Sequence, residues 1–215
     1  MSHDDHDDDH GHAHDHLPDA EERIGYYQTM ETAVRALLIE KGIITAEDVR
    51  IAVEAMDART PAQGARVVAK AWADPEYKKR LLADGSAACR ELGIEMGPTK
   101  LVVVENTERV HNMIVCTLCS CYPRFLLGLP PDWYKSRNYR SRAVREPRAV
   151  LAEFGTAIPD DLDLRVHDST ADMRYLVLPR RPEGTEGMDE AALAALVGRD
   201  AMIGVALVKA QAATP

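Results

Sequence analysis

Two periods divide the chain. From residue 19 to residue 93 apolar positions recur at helical spacing, with Met30, Ala33, Val34, Leu37 and Leu38 making one stripe and Gly42 supplying its stop. Asp19 with Glu22 reads as a capping box at the start of that stripe. Thr45 with Asp48 opens a second helix that runs to about Ala58. Thr60-Pro61-Ala62-Gln63 opens a third, with proline at the first helical position. Asp74-Pro75 and Asp84-Gly85 punctuate two shorter helices, the last ending at Gly93. The apolar faces are incomplete and aromatic residues are few, which predicts an arm that packs on something else. A helical subdomain packed on its own chain is the plainer alternative.

After Gly97-Pro98 the pattern changes. Leu101–Glu105 and Val110–Val115 are rich in Val and Ile between polar breakers and read as strands. Residues 131–138, 138–146 and 147–154 read as short helices, 162–167 and 174–178 as strands, and 189–197 as a helix. The apolar run 201–208 reads as a last strand. Strands grouped with outer helices predict an α+β fold, a helical N-terminal arm followed by an α/β layered domain. The predicted organisation is a His/Asp-rich tail over 1–18, the arm over 19–95 and a metal-binding catalytic domain over 96–215.

Charge sharpens the tail and little else. The net charge of -9 comes from residues 1–22, which carry seven Asp, two Glu and no Lys or Arg; the remaining 193 residues balance, 26 against 26. The body therefore gives no electrostatic case for nucleic acid, and no apolar stretch approaches a membrane span. No basic, apolar leader opens the chain, so a cytoplasmic protein is expected. Residues 3–16 hold six of the eight histidines among six aspartates and nothing that could build a core. They read either as a solvated tail or as a loose collector of transition-metal ions.

The chemistry concentrates in Val115–Arg124, V-C-T-L-C-S-C-Y-P-R, where three of the four cysteines fall within six residues. Clustered thiols in such a chain point to metal or catalysis rather than to disulfides. A zinc ribbon lacks its second pair, because Cys89 lies 27 residues upstream in a predicted helix and reads as a small buried residue. Iron–sulfur clusters need a fourth thiolate and other spacings. The C-S-C segment instead brings the sulfurs of Cys119 and Cys121 and the backbone nitrogens of Ser120 and Cys121 to one ion, with Cys116 reaching an axial position. One coordination position stays open, as a catalytic metal requires. His111 reads as structural, His167 and Asp168 as makers of local hydrogen bonds, and Trp133 and Tyr134 as core or interface aromatics.

V-C-T-L-C-S-C-Y-P, then L-G-L-P-P-D-W-Y-K-S, R-V-H-D-S-T-A-D-M-R-Y-L-V-L-P and R-P-E-G-T-E-G, together resemble the metal-binding α subunit of nitrile hydratases from about Met30 to Ala206. Thr117 resembles the cobalt-dependent branch rather than the iron one. The resemblance implies a non-corrin Co(III) held by Cys116, Cys119, Ser120 and Cys121, with Cys119 oxidised to sulfinic and Cys121 to sulfenic acid. It implies catalytic roles for Cys121, Ser120 and Cys119, a small nitrile as substrate, a β-type partner subunit and a cobalt-loading activator. Where the family commonly has Tyr-Pro-Trp, this chain has Tyr122-Pro123-Arg124, which puts a guanidinium into the expected substrate pocket. Y-P-R and a His/Asp-rich start resemble the γ subunit of thiocyanate hydrolase, which takes an anionic substrate. The short span from Gly93 to Val115 and Leu127-Gly128-Leu129-Pro130-Pro131 resemble nitrile hydratase instead. From Arg124 to Arg148 seven basic residues face two acidic ones, a surface for anions or for a subunit. A cobalt-delivery module of the same fold is the reading from a different class.

Overall fold

The computed structural model describes residues 24–210. The capping box at Asp19 and the His-rich tail lie outside them. Within the described residues the chain separates after Thr45 into two units. The first is carried by helix α1 (Ile24–Glu40), closed by Gly42 at φ 64° and by a bond from the Ile43 N–H to the Leu38 carbonyl. The predicted stripe is present and exposed: Met30, Val34 and Leu37 keep 43%, 49% and 48% of their surface.

The second unit begins with α2 (Ala46–Asp57), which buries no residue, and continues through α3 (Ala62–Ala73), α4 (Pro75–Ala83) and α5 (Gly85–Glu91). Asp74 caps α4 by accepting the N–H groups of Glu76 and Tyr77, and Asp84 caps α5 at Ala87. These caps satisfy donors that a helix start would otherwise leave open. Strands β1 (Lys100–Glu105) and β2 (Val110–Val115) follow, then four short helices: α6 (Arg124–Leu127), α7 (Asp132–Lys135), α8 (Arg137–Arg145) and α9 (Pro147–Glu153). Strands β3 (Asp163–Asp168) and β4 (Met173–Leu178) and helices α10 (Glu190–Leu196) and α11 (Arg199–Ile203) complete the fold. The α+β class expected from the sequence is observed.

Among the described residues all strand pairing is parallel. β1 pairs with β4, Leu101 opposite Arg174, and β2 pairs with β3, Val115 opposite Asp168. Parallel neighbours need crossovers. The crossover from β2 to β3 carries the cysteine loop and helices α6 to α9. Helices α4 and α5 pack on β1, and α10 and α11 pack on α3. The core between these layers is built from side chains such as Leu81, Leu101, Ile114, Leu151 and Leu176, all fully buried.

Two expectations fail locally. Residues 201–208 form no strand: they continue α11 and turn at Gly204, whose φ is 90° and whose N–H reaches the carbonyls of Asp200 and Ala201. The first five residues of the run, 201–205, are all buried, and a short buried apolar run has no face to alternate, so its pattern does not separate strand from helix. A side chain at Gly204 would stand 2.1 Å from the Asn112 carbonyl oxygen, so β2 itself forces the turn. The loop expected after the cysteines contains the one-turn helix α6, too short for any periodicity to announce.

Candidate metal centre

β2 delivers the cysteine loop. Its last residue, Val115, is buried, and Cys116 follows it into the core with 1% of its surface exposed. The chain then turns outward: Leu118 is 89% exposed and Cys119 is exposed, while Cys121 is half-buried. Tyr122 and Pro123 return it to the core and start α6. The Cys116 and Cys119 sulfurs lie 3.4 Å apart and those of Cys119 and Cys121 3.2 Å, and all three fall within 4.8 Å of one another. The Cys119 N–H also points at the Cys116 sulfur, at 3.3 Å.

Hydrogen bonding by Cys121 holds the Cys119 thiol below its ordinary value. Burial, and then Cys119, push Cys121 up to about 12. A cation bound by both sulfurs displaces their protons. Three soft donors at this spacing suit a transition metal rather than calcium or magnesium.

Beside the loop lies a cleft of about 310 Å³ lined by Cys119, Ser120, Cys121, Arg124, Phe125 and Arg174. The structure thus brings every site residue expected from the sequence to one place: three sulfurs in a cluster, with Ser120 and Arg124 on the wall of the adjoining cleft. His111 is not among them. Its Nε2 lies 2.8 Å from the Gly204 carbonyl oxygen and its Nδ1 3.3 Å from the Asn106 amide nitrogen, so it is a satisfied core histidine. Trp133 and Tyr134 are core aromatics, packed edge to face at 5.9 Å. Cys89 is buried in α5, as a small core residue.

A family model described as "Nitrile hydratase, alpha chain" matches residues 25–206. The chain belongs to the nitrile hydratase α-chain family. Within this chain the match spans both the exposed helices and the cysteine loop. It is 52% identical over 177 residues to the low-molecular weight cobalt-containing nitrile hydratase subunit alpha of Rhodococcus rhodochrous, covering 81% of this chain and 86% of that one. It is 47% identical over 200 residues to the thiocyanate hydrolase subunit gamma of Thiobacillus thioparus, covering 87% and 82%. Among solved structures, a double mutant of the Fe-type nitrile hydratase of Comamonas testosteroni superposes with a TM-score of 0.82 at 44% identity, covering 89% of this chain and 95% of the other.

Three further residues shape the site. Asp168, which the sequence suggested makes only local bonds, reaches across 51 residues: its carboxylate accepts the Thr117 N–H at 2.9 Å and the Thr117 hydroxyl at 2.5 Å. Tyr134, fully buried, donates its hydroxyl to the Cys121 carbonyl at 2.9 Å. The loop is therefore held at both ends by side chains outside the motif. Arg174, from β4, stands in the cleft. Only the parallel register could have announced Asp168 and Arg174, and register is not written in local pattern. Among the described residues no helix is long and apolar enough to cross a membrane.

Proposed function

We propose that this chain is the metal-binding subunit of a cobalt nitrile hydratase, which adds water across a C≡N bond to give the amide. The observation that carries the reading is the cluster of three cysteine sulfurs on a loop that forms the wall of a cleft. The donor set fits the metal named for its relatives: the sulfurs of Cys116, Cys119 and Cys121, joined by the backbone nitrogens of Ser120 and Cys121, are soft and strongly donating. When bound, a trivalent cobalt supplies Lewis acidity, polarising a nitrile or lowering the pKa of a water.

The residues of the chain do the rest. Asp168 and Tyr134 fix the loop, so that the cysteines are presented in one arrangement. Cys119 and Cys121, once taken to sulfinic and sulfenic acid by an external oxidant during maturation, would offer oxygens beside the Ser120 hydroxyl. Arg124 sets what enters. Overall, the water oxygen goes to the nitrile carbon and both protons go to nitrogen.

A β-type partner completes the enzyme in this reading. Supporting it are the exposed side chains Tyr26, Met30, Val34 and Leu37 of α1, Ile51 and Val53 of α2, and Leu118 at the tip of the cysteine loop. Residues 19–95 supply, in α1 and α2, the arm that grips that partner, and residues 96–215 supply the metal centre. The exposed loop is also where an activator would hand over cobalt. A reducing compartment, the cytoplasm, suits cysteines used as ligands rather than as disulfides.

Metal analysis with intact-protein mass spectrometry tests the reading. Stoichiometric, non-exchangeable cobalt and the added mass of three oxygen atoms on Cys119 and Cys121 are expected; labile metal with three free thiols would sink the enzyme and leave a cobalt carrier. A second reading, a thiocyanate hydrolase γ-type subunit, is favoured by Arg124 on the cleft wall. Assaying nitriles and thiocyanate side by side separates the two. Arg124→Trp is expected to move relative kcat/KM toward apolar nitriles, and an unchanged ratio would remove Arg124 from substrate selection.

A further inference from the structure

Arg174 is held in an unusual way. It sits half-buried on β4, and a single guanidinium nitrogen, Nη1, donates to the carbonyls of Thr170, Ala171 at 3.1 Å and Met173 at 3.2 Å. Those carbonyls belong to the turn between β3 and β4 and to the first residue of β4, so the side chain is pinned from one side. Among the described residues no partner meets Nε or Nη2. The planar guanidinium is left with a two-donor edge, the edge that recognises anionic groups best.

Arg174 lines the same cleft as Cys119, Ser120 and Cys121. No aspartate or glutamate lines the cleft, and Arg174 has no ion-pair partner among the described residues. A half-buried cation without a counter-charge is costly unless an anion arrives. The anion available on the cleft wall is the cysteine loop, whose side chains are deprotonated when they bind a metal.

We propose that Arg174 is a positioning residue of the metal centre, its Nε and Nη2 edge holding the anionic Cys121 side chain on the cleft side of the loop. This rests on the metal-binding reading above. The role is distinct from that proposed for Arg124, which is exposed at the start of α6 and would select the substrate. It is distinct also from the two clamps: Asp168 and Tyr134 hold backbone and Thr117, whereas Arg174 acts on a ligand side chain. A cation beside a sulfur ligand lowers the energy of its donor electrons, and so raises the energy of its charge-transfer transition to the metal.

The test uses the full-length chain, produced with cobalt, as wild type, Arg174→Gln and Arg174→Lys. Three quantities are read: cobalt per chain, the position of the sulfur-to-cobalt charge-transfer band, and the rate of cobalt loss to a chelator. In Arg174→Gln the band is expected at lower energy and cobalt loss about tenfold faster, the scale of one lost charge-assisted hydrogen bond. Arg174→Lys keeps the charge and is expected to restore the band while losing part of the retention. A band and a loss rate equal to wild type in Arg174→Gln overturn the role. If circular dichroism finds Arg174→Gln misfolded, Arg174→Lys decides: faster loss with an unmoved band supports the role, and wild-type values in both overturn it. A wild type that carries no cobalt is a different failure, since it overturns the metal reading itself and this role with it.

Discussion

Removing the Asp168 carboxylate is the sharpest test of how the cysteine loop is held. Asp168→Ala deletes two bonds to Thr117, at 2.9 Å and 2.5 Å, and touches none of the sulfurs. A bond to a charged group contributes about 1.5–3 kcal/mol when buried, but Asp168 and Thr117 are exposed and solvent screens them. About 1–2 kcal/mol for the pair is the reasonable sum, or about a 5- to 30-fold change in an equilibrium. That energy is local, because the loop can open without unfolding the core. The metal-free variant is therefore expected to melt within about 2 °C of wild type, whereas a global loss of that size would lower Tm by about 2–4 °C per kcal/mol. Cobalt retention is the proper assay: the rate of metal loss to a chelator should rise by about 5- to 30-fold. Thr117→Val removes only the hydroxyl bond, so the two changes combined should cost less than their sum. Equal chelator rates in Asp168→Ala and wild type, or strict additivity with Thr117→Val, would refute the clamp.

Other outcomes follow from the same geometry. Tyr134→Phe removes the hydroxyl that donates to the Cys121 carbonyl at 2.9 Å, and is expected to cost about 1 kcal/mol and to speed cobalt loss several-fold; an unaltered loss rate would dismiss Tyr134 as a loop anchor. Burial lowers the pKa of His111 below its ordinary 6.5, so the folded state refuses a proton that the unfolded chain accepts. Stability is then fully present above about pH 6.5 and declines as pH falls below it, with His167 lowered in the same direction. Thermal melts from pH 7.5 to 5 should show a shallower decline in His111→Gln than in wild type, and identical slopes would exclude His111 as a contributor. Gly204→Ala would place a Cβ 2.1 Å from the Asn112 carbonyl oxygen at a φ of 90°, and is expected to cost at least about 3 kcal/mol and lower Tm by about 6–12 °C. A shift under about 2 °C would mean that β2 yields freely there.

What the sequence announces is what has a local cause. Asp74, Asp84 and Asp189 each bond an N–H two or three residues ahead, so the cap and the helix it starts lie in one short window. The cysteine motif is legible for the same reason: three donors within six residues can meet one ion whatever the rest of the chain does. Strands β1 and β2 are legible from their Val and Ile content. Their partners are not, since Leu101 meets Arg174 and Val115 meets Asp168 only through crossovers of many residues. Hence Asp168 could be read as a local hydrogen bonder and Arg174 as an ordinary strand residue, although both stand at the site. Residues 201–208 misled for a third reason. Val205 is fully buried, and the turn before it is dictated by the approach of the Asn112 carbonyl rather than by its own neighbours.

The parallel pairing of β2 with β3 sets the order in which the site can be made. The three sulfurs are neighbours along the chain, so even a denatured or half-synthesised chain can gather them around a soft cation. The clamp is not a neighbour: Asp168 lies 51 residues beyond Thr117, and a nascent chain must emerge past it before the loop can be fastened. A ligand that also binds the unfolded chain stabilises the fold by less than its affinity suggests. Cobalt would therefore rescue a destabilised variant poorly. Metal offered before the crossover closes would be held by the sulfurs alone, in an ensemble of arrangements rather than one. Loading after folding is the sequence of events that this topology rewards.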